Sequence, residues 1–242
     1  MLKLHYNLEK VSMGLVGAII VAASIGGLVE IAPLFTIDET VEIPDDLRVL
    51  TPLELAGREI YMREGCYACH SQMVRSLADE IDRYGPYSLA SESAWDRPML
   101  WGSKRTGPDL ARLGGKYSDA WHVAHLVDPR AVVPASIMPA YPWLMQPLDT
   151  ALLPDSLATL ARLGVPYDAA MIGAAEADAR AQSRPDGAGA EGFVERHGER
   201  PALRAFDGDP SLLTEMDALV AYLQSLGTQT AAAHALLAEG GE

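Results

Sequence analysis

Cys66-Tyr67-Ala68-Cys69-His70 is the most informative segment of this 242-residue sequence. The spacing C-x-x-C-H is the attachment motif of c-type haem, in which two thiols bond the haem and the next histidine binds its iron. A three-residue offset places both sulfurs on one side of a helical turn, within reach of one edge of the macrocycle. A redox dithiol would be expected in a βαβ context, and the sequence has no strand pattern of any length. We therefore predict one covalently bound haem c, held by Cys66, Cys69 and His70.

The composition excludes several other classes of protein. The chain has only two cysteines, too few for a disulfide framework or a four-cysteine zinc site. Its 19 basic and 33 acidic residues give a formal net charge of -14. Nucleic-acid binding needs clustered Lys and Arg, so we expect no nucleic-acid partner and favour a basic protein surface instead.

An uncharged run of 19 residues, 11–29, lies near the N-terminus. As a helix it would span ~28 Å, close to the ~30 Å of a bilayer core. A cleaved signal peptide is the alternative, but its apolar stretch is usually only ~7–15 residues. Small residues recur every four positions in this run and predict a packed partner helix; they are Gly14, Ala18, Ala22 and Gly26.

The charges that flank this run predict its orientation in the membrane. Lys3 and Lys10 precede it, whereas six acidic residues follow it before the first cation, Arg48. The positive-inside rule then places the N-terminus in the cytoplasm. We expect a single-pass protein of a bacterial inner membrane, in contact with lipid, whose haem domain is periplasmic.

The remaining patterns are helical and predict an all-α fold. Thr51-Pro52-Leu53-Glu54 predicts a capped helix ending near the haem motif, and a second capped helix should open at Thr214 and pack across it. Shorter helices are predicted at 155–163 and 168–181. The fold class is thus a single transmembrane helix plus a class I cytochrome c-like helical domain with long loops. The predicted divisions are a cytoplasmic N-terminus (1–10), an anchor (11–35), a linker (36–50), a haem domain (51–227) with a mobile loop insertion (182–210), and a mobile tail (228–242).

The iron needs a sixth ligand, and Met138 is the best candidate among nine methionines. Pro139 and Pro142 prevent a regular helix there, so an extended loop could place the thioether over the open haem face. His/Met ligation also raises the reduction potential relative to two histidines. The alternatives are Met145, Met99, His122 and His125.

Two further features of the sequence suggest how the haem is held. Pro108 lies between the two predicted iron ligands, where a proline carbonyl in c-type cytochromes accepts the N–H of the iron-bound histidine; an ordinary turn is the alternative. Basic residues cluster at 73–116, and Arg is well suited to binding the haem carboxylates. The candidates are Arg75, Arg83, Arg97, Lys104, Arg105, Arg112 and Lys116.

These features together resemble a known family, the mono-haem cytochrome c subunit (subunit II) of cbb3-type cytochrome c oxidases. The resemblance covers most of residues 1–145 and 214–227. It is carried by the segments 66–75, 97–110, 117–129, 138–144 and 214–223. Residues 182–210 depart from it because they are longer than the usual connection.

The resemblance implies an electron-transfer subunit that is not catalytic alone. Such a subunit takes electrons from a di-haem cytochrome c subunit, or from a soluble or membrane cytochrome c donor. It passes them towards haem b of the catalytic haem–copper subunit I, where oxygen is reduced. His70 and Met138 match the family's axial ligands. The family also places a divalent cation, calcium, at the interface with subunit I, and Ser103 is the matching candidate ligand.

Three other functions fit the sequence less well. The anchored cytochrome subunit of nitric oxide reductase should be shorter and lack the segments 101–110 and 141–144. A free membrane-tethered carrier would favour a longer flexible linker than the ~20 residues before Thr51. A di-haem peroxidase needs two attachment motifs, and a haem with both axial positions filled is ill-suited to binding substrate.

Overall fold

A computed structural model describes residues 2–35, 43–102 and 104–230 of the chain. The chain divides into two compact units, Met1–Glu42 and Ile43–Glu242. Over the described residues the secondary structure is helical, with no strand and one isolated bridge between Pro147 and Thr214. The all-α prediction is therefore confirmed.

The first unit consists of two consecutive helices and a short 3-10 turn. Helix α1 spans Leu2–Lys10, α2 spans Ser12–Ile31, and the 3-10 turn covers Ala32–Phe35. The segment Ser12–Leu34 has a mean hydropathy of 2.2 and is long and apolar enough to cross a membrane. This agrees with the anchor predicted at 11–35.

The second unit contains eight helices within its described residues, joined by long loops. They are α3 (Pro52–Arg63), α4 (Ala78–Tyr84), α5 (Asp119–Val127), α6 (Pro129–Val132), α7 (Leu153–Arg162), α8 (Ala169–Gln182), α9 (Ala190–His197) and α10 (Glu215–Ser225). Short 3-10 turns occur at Cys66–Ala68, Ala90–Ser93 and Pro142–Met145. All of the helices predicted from sequence are present, with ends that differ by one or two residues.

Helices α3 and α10 both begin with a capping box, which the sequence predicted for α3. In α3, the Thr51 hydroxyl accepts from the Glu54 amide at 3.2 Å, and the Glu54 carboxylate accepts from the Thr51 amide at 3.0 Å. In α10, Thr214 and Asp217 exchange the same two bonds at 3.1 and 3.0 Å. Each box satisfies two amides that the helix leaves unpaired.

The crossing of α3 over α10 organises the core of the second unit, as predicted. A Cβ added to Gly57 would lie 1.9 Å from the carbonyl oxygen of Ala218, so the two backbones touch at this point. Beside the crossing, the rings of Tyr61 and Tyr222 meet edge to face at 5.6 Å. Arg63 clamps the start of α10 through two hydrogen bonds to Glu215, at 2.7 and 2.5 Å.

The prediction of a mobile surface loop at 182–210 is wrong. This segment contains α9, and two of its side chains, Phe193 and Phe206, are fully buried. Arg196 and His197 at the end of α9 both bind Asp178 of α8, with His197 Nε2 at 2.9 Å from Oδ2. The two aromatic anchors stand far apart among Gly, Pro and charged residues, so no helical period marks them in the sequence.

The predicted linker and tail are only partly described. Residues 36–42 and 231–242 lie outside the described residues. The described part of the linker belongs to the second unit, where the Arg48 amide donates to the Gln229 carbonyl at 3.0 Å. Thr228 in the tail also donates to the Ser225 carbonyl at 2.8 Å. The described ends of both segments are therefore tied to the helical unit.

Candidate functional site

The C-x-x-C-H motif forms a tight turn directly after α3. Gly65 takes a left-handed conformation, with φ of 73°, that ends the helix and redirects the chain. The amides of Cys69 and His70 then both donate to the Cys66 carbonyl, at 3.1 and 2.9 Å. This 3-10 turn brings the two thiols and the imidazole to the same place in the structure.

A cavity of about 480 Å³ lies beside this turn, and its size falls in the usual range for cofactor sites. Cys66, Cys69, His70, Pro108 and Met138 all line it. Much of the remaining wall is apolar; it includes Leu110, Leu113, Leu126, Val133, Ile137, Leu219 and Leu223. The structure thus brings together the five residues predicted to attach the haem, bind its iron or orient the iron-bound histidine. Their bonds to a haem stay predictions.

The imidazole of His70 is held by the backbone of the loop opposite. Its Nδ1 lies 2.8 Å from the carbonyl oxygen of Pro108, which accepts the ring N–H and leaves Nε2 free to bind a metal. Burial lowers the pKa of His70 despite this hydrogen bond, and this keeps the ring neutral. A Cβ at Gly107 would meet His70 Cε1 at 2.3 Å, so the ring packs directly on the Gly107 backbone.

Met138 reaches the cavity from an irregular loop after α6. Its amide donates to the Ser136 hydroxyl at 3.2 Å, and the Tyr141 amide donates to the Leu126 carbonyl at 2.7 Å. The first bond shapes the loop, and the second attaches the loop to α5. The Met138 side chain is half-buried on the cavity wall.

The alternative sixth ligands separate into two groups. Met99 and Met145 do not line the cavity and are 47% and 42% exposed. His122 and His125 do line it. The structure therefore favours Met138 over the other two methionines, while the two histidines need a separate explanation.

Asp109 organises the site, although no pattern in the sequence predicts this role. Its buried carboxylate accepts hydrogen bonds from the Ser71 hydroxyl at 2.5 Å, the Met73 amide at 2.9 Å and the Ala111 amide at 2.8 Å. These bonds tie the loop that carries Pro108 to the segment just after His70. The buried Asp in Gly-Pro-Asp-Leu gives no sequence signal, because its partners lie far away in the chain.

Two of the basic residues predicted to bind haem carboxylates form ion pairs outside the cavity. Arg105 binds Glu80 at 2.8 Å, and Arg112 binds both oxygens of Glu92 at 2.7 and 2.8 Å. Among the described residues, no Arg or Lys lines the cavity. The expectation of an arginine donor from 73–116 therefore finds no support in this wall.

The calcium prediction finds no support in the structure. Ser103 lies outside the described residues. Within the described parts of the chain, no group of three or more His, Cys, Asp and Glu side chains is placed to hold a metal ion. Calcium thus stays a prediction from the resemblance alone.

The cavity suits a haem in its shape and in its chemistry. Apolar walls suit the hydrocarbon macrocycle, and the wall offers a nitrogen donor in His70 and a sulfur donor in Met138, the pair that binds iron in cytochromes c. Burial raises the pKa of Cys66 to about 11, so the thiol is protonated at neutral pH. The site and the all-α fold therefore define a c-type cytochrome with an N-terminal helix able to cross a membrane.

Comparison with known protein families shows to which family of cytochromes the chain belongs. The family described as "Cytochrome C oxidase, mono-heme subunit/FixO" matches residues 5–230, and the chain belongs to this family. A search among curated proteins found no match to the chain. Family membership makes the chain a mono-haem electron-transfer subunit of a cytochrome oxidase, with haem c as its cofactor and the catalytic subunit as its partner.

Proposed function

We propose that this chain is the mono-haem subunit of a cbb3-type oxidase and relays electrons to its catalytic subunit. It accepts them from a di-haem cytochrome c subunit or a c-type cytochrome and delivers them towards haem b, where oxygen is reduced. The observation that carries this proposal is the single cavity shared by Cys66, Cys69, His70 and Met138.

Each of these residues has a distinct task in holding the haem. Cys66 and Cys69 would attach the haem through thioethers, and His70 and Met138 would bind its iron. The Pro108 carbonyl orients His70 and increases its basicity as a ligand. When bound, the haem supplies reversible one-electron chemistry, and the Met138 sulfur favours its reduced state.

The walls of the cavity suit electron transfer more than substrate turnover. With His70 and Met138 both bound, the iron would have no position open to a substrate, and the apolar lining would limit water near the haem. At the rim, Cys69 and Ile137 are exposed, so one edge of the haem would lie near the surface. A partner docked at this rim could exchange electrons without entering the cavity.

The proposed location is an inner membrane, with the N-terminus cytoplasmic and the haem domain periplasmic. The apolar helix and the cations before it support this orientation. Reporter fusions at each end of Ser12–Leu34 test it. A cytoplasmic signal from the C-terminal side would contradict the proposal.

Mild solubilisation followed by an oxygen-uptake assay tests the proposed function. The chain should co-purify with a subunit that contains copper and haem b and consumes oxygen. The Cys66→Ser/Cys69→Ser variant should lose covalent haem and lower uptake, whereas Met99→Ala should match the wild type. Isolation of the chain alone would favour a tethered carrier, and turnover of nitric oxide instead of oxygen would favour the reductase subunit.

A further inference from the structure

Two histidines on one face of α5 are left unexplained by the proposed axial ligands. His122 and His125 stand three residues apart, and both line the cavity. Each has a buried ring nitrogen without a hydrogen-bond partner among the described residues, Nε2 in His122 and Nδ1 in His125. Buried polar atoms are almost always paired, so these two atoms indicate polar groups that a bound ligand supplies.

Aromatic contacts fix both rings in these positions. The His125 ring stacks on Trp121 at 4.6 Å with an interplanar angle of 14°. The His122 ring meets Trp121 edge-on at 5.4 Å and Tyr117 at 6.1 Å. The Ser118 hydroxyl caps the helix that carries them by accepting from the Trp121 amide at 3.2 Å. The two imidazoles are therefore rigid parts of the cavity wall.

The polar groups at the edge of a haem are its two carboxylates. The cavity wall contains no Arg or Lys within the described chain, so the side-chain donors that it offers to a carboxylate are neutral ones. We propose that His122 and His125 bind the carboxylates of the haem through their buried ring nitrogens. This inference rests on the proposed haem attachment.

The state of the two rings supports this role. Burial lowers the pKa of His122 to about 4 and also lowers that of His125, so each ring is neutral at pH 7 and has one N–H to donate. His70 lines the same cavity and also lowers the pKa of His125, and two charged groups near α5 have partners of their own. Asp119 binds Arg204 at 3.0 Å and Gln224 at 2.6 Å, and the Lys116 Nζ lies over the outer ring of Tyr117.

Loss of a donor should change the proton affinity of the carboxylate. A hydrogen bond to an ionised carboxylate lowers its pKa, so removing the donor raises it. The reduction potential of the haem depends on whether the carboxylate is charged. The pH at which the potential begins to change should therefore move upward when either imidazole is removed.

The test measures the haem c reduction potential against pH in the full-length, haem-loaded chain. His122→Phe and His125→Phe keep an aromatic ring but lose the donor, and each should move the breakpoint upward by about one pH unit. His122→Gln and His125→Asn should restore it, because these amides occupy the positions of Nε2 and Nδ1 respectively. His5→Phe, in α1, is the control for loss of an imidazole elsewhere and should leave the curve unchanged.

If a phenylalanine variant does not load haem, the amide variants with the side chains exchanged between the two positions are measured instead. His122→Asn and His125→Gln stay polar but place the amide at the wrong nitrogen, and the same upward shift is expected. An unshifted curve in haem-loaded variants would overturn the proposal. The proposal would also be overturned if the absorption spectrum of a variant showed that the iron had lost a ligand, because the substituted histidine would then be an iron ligand. A wild-type chain without covalent haem would overturn the proposed function as well, so the two failures are distinguishable.

Discussion

The Nδ1 of His70 lies 2.8 Å from the carbonyl oxygen of Pro108, across 38 residues of chain. This hydrogen bond determines which ring nitrogen can face the cavity. Gly107, the neighbour of Pro108, is in contact with the same ring. The loop therefore positions the imidazole twice, once by a hydrogen bond and once by a steric fit.

Substitution of Gly107 by Ala should disturb this fit. The new Cβ would lie 2.3 Å from His70 Cε1, so the ring or the loop must move, at a cost of about 1–3 kcal/mol. We expect a lower yield of haem-loaded chain and an altered low-spin absorption spectrum. Gly173→Ala in α8 is the control, because its Cβ would meet nothing within 4 Å. An unchanged spectrum and haem content in Gly107→Ala would contradict the steric argument.

Substitution of Met138 should change the axial coordination of the haem. We expect Met138→Ala to lose the absorption band of the iron–sulfur bond, and Met138→His to lower the reduction potential towards that of bis-histidine haems. Met99→Ala is the matched control, since Met99 is exposed and does not line the cavity. If the band and the potential persist in both Met138 variants, another residue is the sixth ligand.

Substitution of Gly57 by Ala should destabilise the helical unit. Alanine favours a helix over glycine by at most ~1 kcal/mol, whereas this Cβ would lie 1.9 Å from the Ala218 oxygen. Separating α3 from α10 should outweigh that gain and cost about 2 kcal/mol or more. Denaturant unfolding of the solubilised chain measures the loss. Equal or greater stability in Gly57→Ala would show that the crossing can relax.

The ion cluster of Asp178 with Arg196 and His197 should contribute stability that depends on pH. Burial opposes ionisation of this carboxyl, but the two hydrogen-bonded partners prevail and hold the pKa of Asp178 below its ordinary value. The contribution is thus present above the ordinary carboxyl pKa and is lost as the pH falls through the depressed one.

We expect Asp178→Asn to lower the free energy of unfolding by about 1–3 kcal/mol at pH 7. The difference from wild type should shrink as the pH falls through the depressed pKa of Asp178. Urea unfolding across this pH range gives the measurement, and exposed Asp186→Asn is the control. If the difference in free energy of unfolding stays constant or grows at low pH, the charge of the Asp178 carboxylate is not the source of the lost stability.

Several features followed from sequence because they depend on residues close together in the chain. A capping box needs only Thr51 and Glu54, three positions apart, and the structure forms it as predicted. The uncharged run 11–29 predicts a membrane helix from its length and composition, and the structure has an apolar helical segment at Ser12–Leu34. The haem motif is likewise a single turn, whose two thiols and imidazole are adjacent by spacing.

Other features could be found only after distant segments were brought together. Phe193 and Phe206 are isolated aromatics in a polar stretch, and their burial depends on surfaces built elsewhere in the fold. Gly57 and Gly107 look like ordinary glycines until Ala218 and His70 approach them. The physical reason is that helical periodicity and capping boxes depend on interactions between residues close together in the chain. The contacts of Phe193, Phe206, Gly57 and Gly107 form only after the chain has folded and brought distant segments together.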